Sequence, residues 1–143
     1  MGFETSVVVA IFFISVLILG TTSYTVVSAS RNIVNDANQD QYEIQNKRLQ
    51  TDISVIDSTA NGPSASYDLT ITITNTGSET LDSSALNVLI DGAIESYTPS
   101  PLTTTWTPDK TKTFEITGLS GAGSHRVKVI TENGISDYDT YSV

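Results

Sequence analysis

Only a few residues in this chain are of types and spacings that could do chemistry. Asp137-Tyr138-Asp139 places two carboxylates two residues apart. On a strand both point to one face, and a carboxylate pair is the beginning of a Ca²⁺ site. Asp52/Asp57 and Asp82/Asp91 are looser pairs of the same kind. Calcium needs six or more oxygens, and no looped D-x-D-x-D-G array accompanies any of the three pairs. A solvated strand face is therefore the expected role of each. His125 is the sole histidine, so it cannot build a zinc site alone. A Ser-His-Asp triad around it would need a nucleophile elbow, which the sequence lacks. A structural or surface histidine is expected. The absence of cysteine excludes a disulfide scaffold, a thiolate metal site and a cysteine nucleophile. Pro99, Pro101 and Pro108 bracket a short segment around Trp106, and Trp106 and Tyr97, beside this proline-rich loop, fit either a partner-binding aromatic patch or a sandwich core. Tyr138 and Tyr141 are three apart, so on a strand they face opposite sides and only one can join an exposed patch. No catalytic, cofactor-binding or metal-ligating residue is assigned, no cofactor is expected, and the chain is not expected to be an enzyme.

The elements that would position these residues follow from composition and periodicity. The chain has 143 residues, room for one domain or a small domain with an appendage. Seven basic against sixteen acidic side chains give a net charge of −9, which disfavours binding to nucleic-acid phosphates. Thr and Ser together supply 39 residues, and only 16% are charged. Low charge and many β-branched hydroxyls suit a β domain outside the cytoplasm better than a cytosolic enzyme.

No charged residue occurs from Thr5 through Ser30, and Val7 to Val27 supplies the roughly 20 helical residues that a bilayer core takes. Ser15, Thr21, Thr22, Ser23 and Thr25 can bond back to helix carbonyls, and Gly20 would permit close approach of a second helix. A cleaved signal peptide fits poorly, since no Lys or Arg precedes the apolar run, although Val26-Val27-Ser28-Ala29-Ser30 has the small residues of a cleavage site. A buried core helix would need more chain around it than remains. Arg31, Lys47 and Arg48 follow the span, which read literally puts the C-terminal part inside; composition argues for the outside and is followed here. Arg31 to Gln50 has neither Pro nor Gly, carries Ile33, Ala37 and Ile44 at helical steps, and has the favourable Glu43–Lys47 order. A polar helical stalk, or else a flexible polar tether, is expected. As one helix, Val7 to Gln50 would span about 66 Å. The boundaries are thus a transmembrane anchor over 1–30, a helical stalk over 31–50 and a β domain over 51–143.

From residue 51 the period becomes two. Leu69, Ile71 and Ile73 alternate with Thr70, Thr72 and Thr74, as in a sheet with one face in water. Further strands are read at Thr51–Asp57, Leu86–Ile90, Ala93–Tyr97, Thr111–Ile116, Arg126–Thr131 and Ile135–Val143, separated by Asn75-Thr76-Gly77, Asp91-Gly92 and Asn133-Gly134 turns, with an edge segment around Trp106. Seven or so strands in this length predict an immunoglobulin-like β-sandwich without its disulfide. The expected core is Ile53, Val55, Leu69, Ile71, Ile73, Leu86, Val88, Ile90, Trp106, Phe114, Ile116, Val127 and Val129.

Gly2-Phe3-Glu4 ahead of an apolar helix loosely resembles the start of type IV pilin-like subunits, which are cut between Gly and Phe. The Glu would then be second rather than fifth, and no basic leader precedes it, so processing is not expected. A fuller resemblance covers nearly the whole chain. It runs from Met1-Gly2-Phe3 and the uncharged helix through Asn46-Lys47-Arg48-Leu49-Gln50-Thr51-Asp52-Ile53 to Leu69–Leu81 with its Asn75-Thr76-Gly77 turn. Leu89-Ile90-Asp91-Gly92 and Arg126–Gly134 complete it. In this order the chain resembles the F-type accessory proteins of the archaellum, the rotary swimming filament of archaea; the sister G type is the second choice. The resemblance implies a stator protein anchored in the membrane, with an immunoglobulin-like domain in the pseudoperiplasm. The implied partners are the surface-layer protein, the G-type sister, membrane lipid and further copies in a homo- or hetero-oligomer. The competing readings are a minor pilin- or archaellin-like filament subunit polymerised through its N-terminal helix, and a membrane-tethered module binding carbohydrate or Ca²⁺.

Overall fold

The computed structural model describes residues 2–143; Met1, which opens the family-like start, and the side chain of Glu4 lie outside the described residues. The chain divides into two compact units, Met1–Glu43 and Ile44–Val143.

Helix α1 runs unbroken over Gly2–Gln50, so residues 31–50 are helical and not an irregular tether. It contains no proline, and its hydroxyls support it from within. Ser15 Oγ donates to the Ile11 carbonyl at 2.8 Å, Thr22 Oγ1 to Ile18 at 2.8 Å and Thr25 Oγ1 to Thr22 at 2.9 Å. Each hydroxyl thus brings its own acceptor into an apolar environment. Every residue from Thr5 to Val27 is exposed, including Phe12, Phe13 and Leu19. The helix is long and apolar enough to cross a membrane.

The second unit is an immunoglobulin-like β-sandwich. Its strands are β1 (Ile53–Asn61), β2 (Tyr67–Asn75), β3 (Leu81–Asp82), β4 (Asn87–Ile90), β5 (Ala93–Glu95), β6 (Thr98–Ser100), β7 (Thr105–Trp106), β8 (Thr111–Leu119), β9 (Ser124–Ile130) and β10 (Ser136–Ser142). One sheet has the order β1-β2-β8-β6, the other β10-β9-β4-β5, and β3 pairs with β7 in a small ribbon. The chain passes from one sheet to the other between β5 and β6, so the expected return strand Ala93–Tyr97 stops at Glu95 and a separate proline-bearing edge strand follows.

Twelve of the expected core residues are buried, and Val55 packs against them half-buried. Tyr67, Leu81, Leu119 and Tyr141 complete the core. A bulge follows Val55: the register with β2 skips Ile56, which is left exposed. A one-residue insertion reverses which side chains face inward, so Ser58 and Ala60 follow Ile53 and Val55 on the inner side. A second register shift between β2 and β8 turns Leu119 inward, and Asp68 Oδ1 accepts the Gly118 amide there at 3.0 Å.

The Asn75-Thr76-Gly77 turn does more than reverse the chain. Asn75 is fully buried. Its Nδ2 donates to the carbonyls of Glu79 (2.9 Å) and Trp106 (3.1 Å), and its Oδ1 accepts the Gly77 amide at 3.1 Å. This fixes Gly77 against the backbone where α1 ends and β1 begins. Ser78 N donates to Gln50 O at 2.8 Å and Gly77 N to Asp52 O at 3.0 Å. Thr51 Oγ1 donates to Lys47 O at 2.7 Å and accepts from Asn133 Nδ2 at 2.7 Å. Of the last carbonyls of α1, which a helix leaves unpaired, that of Gln50 is taken by the Ser78 and Glu79 amides of a sandwich loop, and those of Lys47 and Arg48 by Thr51 just beyond the helix. A Cβ on Gly77 would lie 2.4 Å from Gln50 O and 2.5 Å from Asp52 N, both backbone atoms. Gly77→Ala is therefore expected to destabilise the sandwich by about 1–3 kcal/mol. Urea unfolding followed by the fluorescence of Trp106 measures it, since the helix contains no tryptophan.

Candidate interaction surfaces

Strand parity and register assign every outward position of the sandwich. On the β1-β2-β8-β6 sheet these are hydroxyls and acids. Asp57 stands opposite Thr72, Thr70 opposite Glu115 and Asn61 opposite Asp68, and Thr74 Oγ1 and Thr111 Oγ1 are 2.7 Å apart. No outward strand position of this sheet is basic. The β10-β9-β4-β5 sheet is the reverse. Tyr138, Lys128, Leu89 and Ile94 stand opposite one another in a single row across its four strands. Arg126 lies over the Tyr138 ring, 4.0 Å from its centroid. No outward strand position of this sheet is acidic. Tyr138 is exposed and Tyr141 buried, so the two face opposite sides as their spacing requires.

The carboxylate pairs singled out from the sequence are dispersed among backbone donors. Asp137 and Asp139 share a face, but it is the half-buried inner side of β10 and not the solvated side expected. Asp137 Oδ2 accepts the Val55 amide at 2.8 Å, the donor orphaned by the β1 bulge, across a separation of 82 residues. Asp139 Oδ1 accepts the Thr140 amide at 2.8 Å. Asp52 accepts the Thr76 hydroxyl and Asp57 the Thr59 hydroxyl. Asp82 takes the Ser84 hydroxyl at 2.6 Å and amide at 2.8 Å, which hold its carboxyl below the usual range. Among the described residues no group of three potential ligands converges on a metal position.

Asp91, at the β4–β5 turn, accepts the Arg126 amide at 2.9 Å and faces His125 Nδ1 at 2.7 Å. The amide and the imidazole keep the Asp91 carboxyl below its ordinary value. The aspartate–histidine half of a triad is thus assembled, but His125 Nε2, the nitrogen a nucleophile would need, meets no hydrogen-bond partner. Its ring stacks on Tyr141 at 5.6 Å and lies beneath Gly121, where a Cβ would come within 2.8 Å of it. Trp106 is fully buried and Tyr97 half-buried, on either side of Phe114 at 5.7 and 5.6 Å between ring centroids, so they form core and not an exposed aromatic patch. Tyr97 Oη accepts the Leu86 amide at 2.9 Å, and burial raises its phenol above the ordinary value. Lys112 is buried with its ammonium on Ser83 Oγ (2.8 Å) and the Thr103 carbonyl; burial lowers its pKa, and the charge of Asp82 opposes the shift. The sequence did not single out this lysine, and only its inward parity with Phe114 and Ile116 marks it.

Tyr67 and Tyr141 join the two sheets through hydroxyls 3.0 Å apart. Burial, then the bond to Tyr67, raises the Tyr141 phenol above its ordinary value of 10. Below that pH the phenol is neutral in both states and contributes no pH dependence. Above it the unfolded chain releases the proton while the folded chain keeps it, so stability falls as pH rises, by about 1.4 kcal/mol per pH unit for one proton. Tyr141→Phe is expected to lose that share of the slope in urea unfolding between pH 9.5 and about 11.

No curated protein sequence matches the chain. Among solved structures, the CARDB domain of a Pyrococcus furiosus protein, crystallised in complex with di-metal ions, is similar at 15% identity and a TM-score of 0.42, covering 65% of this chain and 93% of that one. A β-glucosidase from Listeria innocua in complex with glucose has 17% identity and a TM-score of 0.38 over 65% of this chain and 16% of its own. A lipoprotein from Bacteroides thetaiotaomicron has 9% identity and a TM-score of 0.34 over 64% and 77%. The family model of archaeal-type flagellin matches residues 2–140. Helix and sandwich alike fall within that one match: the chain belongs to the archaeal-type flagellin family and is a component of the archaellum.

Proposed function

We propose that this chain is a stationary part of the archaellum machinery. The apolar half of α1 fixes it in the cell membrane as a single-pass anchor. The sandwich stands on the outer, pseudoperiplasmic side and holds the surface-layer protein, beside a sister accessory protein of the G type. A rotating filament needs something fixed to push against, and a link from membrane to outer lattice supplies it without catalysis. The observation that carries this reading is the pairing of an apolar helical segment that nothing in its own unit covers with a sandwich that follows the same helix directly and whose Ser78 and Glu79 amides take its last carbonyl, that of Gln50. Such a protein can hold two partners, one through each unit. Family membership and the resemblance to the F type support it.

One observation favours a second reading, the minor filament subunit. The flagellin family match starts at residue 2 and includes the whole helix, the part through which filament subunits of this design would pack. Shearing separates the two. An anchor remains with the membrane after filaments are sheared off and pelleted, and the sandwich then captures the major lattice protein from solubilised envelope. Recovery of the chain in the filament fraction, with binding to filament subunits alone, rejects the stator reading in favour of the subunit.

A further inference from the structure

The two outer faces of the sandwich are opposite in chemistry, and each is of one sign. Of the four basic side chains after residue 50, Lys112 is buried and Lys110 lies in a loop, leaving Arg126 and Lys128. Both of these are exposed on the same face, two residues apart on β9, with Tyr138, Leu89 and Ile94 beside them and no carboxylate among the outward strand positions. The opposite face offers Asp57, Asp68 and Glu115 in a field of threonines, with no cation. A domain of net negative charge thus carries its exposed strand cations on the outer side of one sheet, where no outward strand position is acidic.

We propose that the basic, apolar face of the β10-β9-β4-β5 sheet docks on the carboxylate-and-threonine face of the β1-β2-β8-β6 sheet of a second copy of this chain. Like faces cannot meet comfortably. Two basic faces would bring four cations together around Leu89 and Ile94, and two acidic faces would oppose six carboxylates. Unlike faces place the guanidinium of Arg126 and the ammonium of Lys128 against carboxylates, and Leu89 and Ile94 against threonine methyls. The contact is heterologous, so each copy keeps one face of each kind free and the arrangement propagates, as a closed ring or an open row. Four strands of seven, seven, four and three residues, about 4.8 Å apart, give a contact on the order of 300 Å² per copy. That is less than half of the roughly 800 Å² per partner that a stable soluble pair buries. The contact is therefore one that forms between copies already concentrated by a common anchor, not between free domains. It holds whether the chain serves as a stator or as a filament subunit.

The chain has no cysteine, so single thiols can report the contact in the full-length protein in mild detergent. Asn87→Cys marks the basic face and Thr113→Cys the acidic one. With a short bis-maleimide, a mixture of the two variants is expected to give covalent dimers, and neither variant alone is. Arg126→Glu with Lys128→Glu in the Asn87→Cys partner is expected to lower the yield about tenfold or more. Asp57→Lys with Glu115→Lys in the Thr113→Cys partner is expected to restore it. Dimers from Asn87→Cys alone at the same yield would mean a symmetric contact and overturn the proposal. No dimer in any combination, or a yield indifferent to the charge reversals, would mean that the basic face serves some other partner and would overturn it equally.

Discussion

A helix with nowhere in its own unit to bury its apolar side chains is the constraint from which the rest follows. Val8, Phe12, Phe13, Leu17 and Leu19 are all more than half exposed, and no charge interrupts Thr5 to Ser30. Leaving each such side chain in water forgoes about 1.5–3 kcal/mol, and a dozen or more of them sum to tens of kcal/mol. That exceeds the 5–15 kcal/mol by which a whole domain is ordinarily stable. The apolar segment therefore requires lipid, or the helices of other subunits, around it. The serine and threonine hydroxyls within the span already donate to carbonyls one turn back, so they do not oppose that environment.

The sandwich meets a different requirement, that of closing a small all-β unit without disulfides. Its two sheets share a core of aromatic and branched side chains, and its irregular points are closed by aspartates. The β1 bulge gives its orphaned amide to Asp137, the β8 irregularity to Asp68 and the β9 start to Asp91. Each of these amides finds its acceptor on a carboxylate instead of on a neighbouring strand, so these side chains are structural partners of the backbone. Part of the acidity of the domain is explained this way. Asp57 and Glu115, with Asp68, share one outer face, which is a property of register and not of composition.

Where local pattern decides structure, the sequence was sufficient. The uncharged run gave the helix, the Leu69–Ile73 alternation gave β2, and Asp91-Gly92 gave the β4–β5 turn. What escaped depended on partners distant in the chain. Leu119 turns inward because of a shift in register, and Leu81 sits in a strand of two residues, too short for any period to show. Tyr67 and Tyr141 are core residues because their hydroxyls find each other across 74 residues. A carboxylate on a strand is usually solvated, and nothing local to Asp137 announces that the Val55 amide, 82 residues away, takes it as acceptor. His125 was read as structural or surface, and its bond to Asp91 across 34 residues was equally invisible. The segregation of charge between the two sheets could be seen only once four strands of each were placed in register.

The central claim, that Val7 to Val27 is surrounded by lipid while the helix beyond it is in water, can be tested one residue at a time. The chain lacks cysteine, so Ser15→Cys and Asn35→Cys each carry the only thiol. The full-length protein is reconstituted in lipid vesicles and exposed to a membrane-impermeant maleimide. The account predicts that Asn35→Cys reacts readily and that Ser15→Cys reacts only after the vesicles are dissolved in denaturing detergent. Equal labelling rates at the two positions in intact vesicles would contradict it.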